Sequence, residues 1–327
     1  MRPTNVGATN AERLAQAARL LESVSDTPRL DAEILLAAAL GVSRARLLAS
    51  LNDRMDAPPF DTYIERRLNY EPLAYILGEW EFFSLPFNVQ PPLLVPRPET
   101  EHLVEAVLDY ARNQRDTVRD ATRPRRDATR HCGWCPPFRI LEIGTGTGCV
   151  SVAIAVNIPD AAVVATDLSP LALDVARQNA ERHGILDRIA FRLGDLFAAL
   201  EPGDGPFDVV CSNPPYIEDG AWPDLSPVIR MHEDPRALLA GPDGLDVIRK
   251  IVKEAADWLA PGGLLAFEIG MGQDAAVEAL LREGPYHDIH FQNDLAGIPR
   301  IACAKLLSIS DRSDPSDPSD PSCGPAA

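Results

Sequence analysis

Asn213-Pro214-Pro215-Tyr216 carries the most specific chemistry in this chain of 327 residues. It follows Phe207-Asp-Val-Val-Cys-Ser212, a short apolar run that predicts a buried strand. Two prolines end such a strand. Neither has an N–H for the ladder and both fix φ, so the chain leaves the sheet as a stiff, extended loop. Asn213 then stands at the carboxyl end of a strand, where open α/β sheets bind ligands. An amide or exocyclic amino nitrogen is a poor nucleophile because its lone pair is delocalised. The Asn213 side-chain oxygen and the Pro214 carbonyl can each accept one N–H, which orients such an NH2 group and stabilises positive charge as it develops. Tyr216 offers a flat face to a planar group. Asn213, Pro214 and Tyr216 are therefore the candidate catalytic residues, and with Pro215 they form the candidate substrate site. Alone, the tetrapeptide also fits a plain surface turn.

Other strand ends supply a place for a reagent. Leu141-Glu-Ile-Gly144-Thr145-Gly146-Thr147-Gly148 joins a predicted strand to a predicted helix. Its glycines allow a tight turn and close backbone approach beside a helix N-terminus. The spacing is Gly-x-Gly-x-Gly, not the Gly-x-Gly-x-x-Gly of dinucleotide binders. Asp167 closes the next strand and can accept both hydroxyls of a ribose. Gly194-Asp195-Leu196-Phe197 closes the third, where Asp195 can accept an adenine amino group and Leu196 can flank the ring. Each carboxylate alone also fits a helix cap; Asp167, for example, precedes Ser169-Pro170. Together with Asn213 at the fourth strand end they face one crevice. The set fits an adenosine-bearing cofactor whose reactive end points at an amide or amine, S-adenosylmethionine. Gly144, Thr145, Gly146, Thr147, Gly148, Asp167, Asp195, Leu196 and Asn213 are the candidate cofactor residues. Transfer of a sulfonium methyl is mostly positioning and electrostatics. The nitrogen loses its proton only as it gains the methyl, so no strong base is required; Glu142, Glu268 and Asp208 are candidates for that role by location alone.

The elements that must position these residues follow from periodicity. Thr9 and Glu12 have capping-box spacing ahead of Leu14, Ala17, Ala18 and Leu21. Pro28 opens a second helix that Gly41 closes, Ser43 starts a third, and Pro59 leads into a fourth over 60–69. Residues 1–78 thus read as a small helical domain. Residues 79–111 read as a hairpin turning around Leu85-Pro86, followed by a helix from Pro98 to about Arg112. Residues 112–137 hold seven arginines among three aspartates with no apolar period, and read as a solvated, disordered insert. Its Cys132-x-x-Cys135 has no second ligand pair, so no metal is expected. Residues 138–308 alternate strand and helix, which predicts a parallel sheet covered on both faces, with a final hairpin that adds an antiparallel edge strand. The tail over 309–327, with its Asp-Pro-Ser repeat from Ser313, cannot build a core and reads as disordered.

Composition narrows the function. The net charge of −17 argues against a broad nucleic-acid-binding face. No apolar run of about 18 residues is present, and the first ten residues lack a secretory pattern. Six scattered cysteines fit a reducing, cytoplasmic setting.

Several stretches resemble the HemK/PrmC family of protein-glutamine N5-methyltransferases. They are Pro72-Leu-Ala-Tyr-Ile-Leu-Gly78 with Glu79-Trp-Glu-Phe-Phe83, Val95-Pro-Arg-Pro-Glu-Thr-Glu101, Glu142–Gly148, Asn213–Tyr216, Asp234-Pro-Arg-Ala-Leu238 with Gly244-Leu245, Pro261-Gly-Gly263, Glu268-Ile-Gly270 and Asp294-Leu-Ala-Gly297. The resemblance covers about residues 10–307. It implies an α/β fold of class I S-adenosylmethionine-dependent methyltransferases, Rossmann-like, with a seven-stranded mostly parallel sheet and a helical N-terminal domain that engages the protein substrate. It also implies that Gly144–Gly148 and Asp167 bind the cofactor, that the Asp195-Leu196 segment flanks the adenine, and that Asn213–Tyr216 hold the glutamine of the Gly-Gly-Gln motif of peptide chain release factors. The chain departs from the family in Ala74, where glutamine is frequent, in Leu196, where aromatic residues occur, and in its insert and tail. The expected protein is a monomer that binds release factors and neither nucleic acid nor membrane. Competing readings are a glutamine methyltransferase of a ribosomal protein, an adenine-N6 nucleic-acid methyltransferase, a non-catalytic scaffold that binds release factors, and a dehydrogenase.

Overall fold

The computed structural model describes residues 7–121 and 137–308. Cys132, Cys135, most of the arginine-rich segment and the Asp-Pro-Ser repeat lie outside the described residues. The chain forms two compact units, one from the residues up to Arg97 with Ile217–Gly244, the other from Pro98–Tyr216 with the residues from Leu245 onward.

The first unit opens with α1 (Asn10–Leu21), α2 (Pro28–Leu40), α3 (Arg44–Ala49), α4 (Phe60–Leu68) and α5 (Leu73–Leu77). Their starts are chemical. Glu12 N donates to the Thr9 hydroxyl at 3.2 Å and Thr9 N to the Glu12 carboxylate at 2.8 Å, a complete capping box. Pro28 occupies the first turn of α2, and Gly41, left-handed at φ 65, closes it. The five-residue α5 is too short to show a period, and it was not expected. Leu14, Leu21, Leu35, Leu36, Leu47, Phe60, Ile64 and Ile76 form the core of this bundle. Beside it Arg67 Nε donates to Asp31 at 2.8 Å, with both side chains nearly inaccessible.

The hairpin β1 (Glu79–Phe82) and β2 (Leu85–Asn88) follows. Its turn is Phe83-Ser84, both at positive φ, and not the expected Leu85-Pro86. Phe82 and Phe87 decide the register. Both are buried on one face and meet edge to face at 6.1 Å, which draws Pro86 into a strand whose outer side needs no N–H.

The second unit begins with a turn of 3₁₀ helix at Pro98–Thr100 and α6 (Glu101–Ala121). The helix runs past Arg112, where apolar spacing ends, because polar residues propagate a helix once it is nucleated; Arg115 there forms an ion pair with Asp160. Then come β3 (Phe138–Ile143), α7 (Cys149–Asn157), β4 (Ala161–Asp167), α8 (Pro170–Arg182), β5 (Ile189–Leu193) and β6 (Phe207–Ser212). The chain rejoins the first unit over Ile217–Gly244, with α9 (Pro227–His232), where Arg97 reaches both oxygens of the buried Glu233 at 2.7 Å. The second unit resumes with α10 (Asp246–Ala255), β7 (Leu259–Glu268), α11 (Asp274–Glu283), β8 (Tyr286–Asn293) and β9 (Pro299–Leu306).

The seven strands lie in the order β5-β4-β3-β6-β7-β9-β8. β3 to β7 are mutually parallel, and the order reverses between β3 and β6. The antiparallel strand is not at the edge. β9 lies between β7 and β8 and is antiparallel to both. Burial accounts for this: Ile301-Ala-Cys-Ala304 is inaccessible on both faces, as an inner strand must be, whereas β8 alternates and suits the rim. β7 is the longest strand among the described residues and begins early, because Leu259 already pairs with Phe207.

The buried Asp31–Arg67 pair yields a test. Arg67→Ala leaves a buried charge uncompensated and should lower unfolding stability by about 3–5 kcal/mol in a urea titration, whereas Asp31→Leu with Arg67→Met should recover most of that loss.

Candidate active site

All the strand ends that carry candidate residues lie on one side of the sheet. After Ile143 the chain turns into α7 through the glycine loop. Gly144 N and Thr145 N both donate to the Thr166 carbonyl at 2.9 Å. Beneath the loop lies the buried Glu142, whose Oε2 accepts from the Thr145 hydroxyl at 2.6 Å, from Ser151 N at 3.1 Å and from the Ser151 hydroxyl. Burial pushes its carboxyl up to about 7; the Ser151 and Thr145 hydrogen bonds oppose the shift and the nearby Asp167 charge adds to it. From α8, Asn179 donates to the Thr147 carbonyl at 2.8 Å. Gly148 sits at φ 80, and a Cβ there would lie 2.8 Å from Ala176 Cβ, so loop and helix meet backbone to side chain. Glu142, Ser151 and Asn179 thus hold the loop rigid.

Asp167 at the end of β4 is part of the same cradle. Gly146 N donates to one carboxylate oxygen and Ser169 N to the other, each at 2.8 Å. Ser169 itself caps α8, so the helix-start reading and the ligand reading belong to residues two positions apart. These bonds fix the orientation of the Asp167 carboxylate. Asp195 is exposed at the end of β5, while Leu196, at φ 48, packs half-buried against the sheet core. The loop, the acidic residue of β4 and the exposed acid of β5 fit an adenosine-bearing group.

Asn213 is held from elements distant in sequence. Its Nδ2 donates to Thr100 Oγ1 at 2.9 Å, and that hydroxyl donates to Glu268 Oε2 at 2.6 Å. Tyr216 donates its hydroxyl to Glu268 Oε1 at 3.1 Å, and its carbonyl accepts from Gln273 at 3.0 Å. Midway along α6, Tyr110 donates to the Gly262 carbonyl at 2.8 Å. The helix therefore runs back along β7 and delivers Thr100 to the carboxyl end of the sheet. Neither spacing nor composition marks Thr100 or Gln273 as functional; the Pro-Arg-Pro-Glu-Thr-Glu motif points to the segment of Thr100 alone. Of the three carboxylates considered for a base, Asp208 is at the wrong end of β6, where it accepts from Arg139 N at 2.8 Å, five residues and roughly 16 Å of strand from Asn213. Glu142 is spent on the loop. Glu268 is next to Asn213, one hydroxyl removed.

The reversed parallel sheet with an acidic cradle at its carboxyl side is that of a class I methyltransferase, whose cofactor is S-adenosylmethionine. Comparison with known proteins narrows this. Residues 12–78 match the PrmC N-terminal domain and residues 140–231 match a methyltransferase domain. The chain is 41% identical over 297 residues to a release factor glutamine methyltransferase of Bradyrhizobium diazoefficiens, covering 90% of this chain and 93% of that one. It is 39% identical to the protein of the same name from Rhodopirellula baltica, over 85% and 89% of the two chains. Among solved structures, the hMettl16 catalytic domain in complex with MAT2A 3'UTR hairpin 6 superposes with a TM-score of 0.50 over 79% of this chain and 87% of its own; at 14% identity it speaks to the fold alone. The chain belongs to the release factor glutamine methyltransferase family.

The buried Glu142 predicts how stability depends on pH. Its raised pKa means that the folded state binds more protons than the unfolded chain between the usual 4.5 and about 7. Its contribution to stability is complete below that window and is lost as pH rises through about 7. Urea midpoints followed across that range should fall with pH in the wild type, and Glu142→Gln should flatten the slope.

Proposed function

We propose that the protein transfers a methyl group from S-adenosylmethionine to the side-chain amide nitrogen of the glutamine in the Gly-Gly-Gln motif of peptide chain release factors. The observation that carries this reading is the fixed amide of Asn213, held by its NH2 group so that its oxygen serves as an acceptor, in a chain of this family. S-adenosylmethionine supplies, when bound, an electrophilic methyl on a sulfonium. Gly144, Thr145, Gly146, Thr147 and Gly148 bring backbone close to it, Asp167 accepts from its ribose, and Asp195 and Leu196 meet its adenine. Asn213 Oδ1 and the Pro214 carbonyl accept the two N–H groups of the glutamine amide, Pro215 stiffens the loop, and Tyr216 packs beside the amide plane. Holding both hydrogens orients the nitrogen lone pair and stabilises the positive charge that grows on it. The helices of residues up to about 78 engage the protein substrate. Among the described residues no helix is long and apolar enough to cross a membrane. The reading is of a cytoplasmic monomer serving translation termination.

The test is a transfer assay with labelled S-adenosylmethionine and purified release factor, beside its Gly-Gly-Ala variant. Label on the wild-type factor alone supports the reading; label on neither, or on a ribosomal protein or DNA instead, overturns it. Asn213→Ala should cut transfer by about a hundredfold or more with cofactor binding retained. Asp167→Ala should weaken cofactor binding itself by roughly tenfold or more, the scale of hydrogen bonds to a charged group.

A further inference from the structure

The chain of hydrogen bonds behind Asn213 has a direction. Thr100 and Glu268 are both buried, each 2% exposed. An ionised carboxylate only accepts. The Thr100 and Tyr216 hydroxyls donate into the two Glu268 oxygens, at 2.6 and 3.1 Å. Thr100 has a single O–H, and it is committed to Glu268. Toward Asn213 it therefore presents only lone pairs, and Asn213 must turn its NH2 group to it, at 2.9 Å. Oδ1 is then the atom left to meet a substrate. The opposite amide orientation would set NH2 against NH2, donor on donor.

We propose that Thr100 and Glu268 are positioning residues that select the acceptor face of Asn213, and that the negative charge of Glu268 holds that choice. The proposal rests on the reading that Asn213 receives an N–H donor. If Glu268 takes up a proton, one of its oxygens becomes a donor, the Thr100 hydroxyl can reverse, and the Asn213 amide loses its fixed orientation. Burial raises the pKa of Glu268; the Thr100 and Tyr216 hydrogen bonds oppose the shift, Glu99 in the turn before α6 raises it further, and Arg300 on β9, itself paired with Asp294 at 3.0 Å, lowers it. The switch therefore falls above the ordinary carboxylate range. The same charge, three hydrogen bonds from the substrate nitrogen, favours positive charge developing there.

The experiment uses the full chain with Thr100→Val, Thr100→Ser and Glu268→Gln, each checked for S-adenosylmethionine binding by calorimetry. Thr100→Val and Glu268→Gln should lower kcat toward a release factor by about tenfold to a hundredfold with cofactor affinity unchanged, and Thr100→Ser, which restores the hydroxyl, should recover most of the loss. Wild-type kcat should fall on the acid side. The side-chain NH2 resonances of Asn213, assigned by ¹⁵N NMR against Asn213→Ala, should move along the same pH curve, and neither response should survive in Glu268→Gln. Glu268→Gln with wild-type kcat, or wild-type NH2 resonances indifferent to acid, would overturn the proposal. The NMR arm needs no methyl acceptor. Failure of the wild type to label a release factor would sink the proposed reaction and still leave the relay decided.

Discussion

Ile143 and Ser212 are partners in the parallel pairing of β3 with β6, and the Ser212 hydroxyl donates to the Ile143 carbonyl at 2.8 Å. From this rung the two working loops depart. The glycine loop follows Ile143 and Asn213 follows Ser212, so they start one strand spacing apart, about 4.8 Å. Strand order reverses at this junction, so the crossovers of β3 and β6 diverge and the carboxyl ends lie open. If the pairing slipped by one residue, every side chain of β6 would change face and Asn213 would leave its partners. The Thr100 hydrogen bond and the position of Tyr216 both depend on that register.

Buried charge in this site is satisfied by hydroxyls and backbone N–H groups. Glu142 is held by Thr145 and Ser151, Glu268 by Thr100 and Tyr216. A cation would have neutralised each carboxylate more strongly. Hydroxyls leave the negative potential in place, which suits a ligand with a positive sulfonium and a reaction that creates positive charge on nitrogen. The overall −17 adds to the same field.

What was legible in the sequence is what local chemistry decides. Gly144–Gly148 and Asn213–Tyr216 announce themselves because glycine and proline constrain the backbone wherever they stand, and the strands that carry them are apolar runs bounded by such residues. β6 matches the limits expected of it, Phe207 to Ser212. Contacts set by distant partners were hidden. Thr100 meets Glu268 across 168 positions of sequence, and no window shows it. The hairpin turn was misplaced because Leu85-Pro86 resembles a turn locally while the packing of Phe82 on Phe87 outweighs it. The antiparallel strand was placed at the rim because a hairpin was visible and its insertion beside β7 was not.

That insertion bears on how the protein is made. β9 comprises residues 299–306, yet it fills an inner place between β7 and β8, and Ile269 N just after β7 donates to the Arg300 carbonyl at 2.8 Å. A chain emerging from the ribosome amino end first can pair β3 to β7 early. Until residue 306 is out, β7 keeps an apolar, unpaired edge, and the strand that carries Glu268 lacks its neighbour. The nascent chain thus holds an incomplete sheet until β9 has been made. β9 acts as a wedge, closing the hydrophobic interior and the floor of the candidate site in one event.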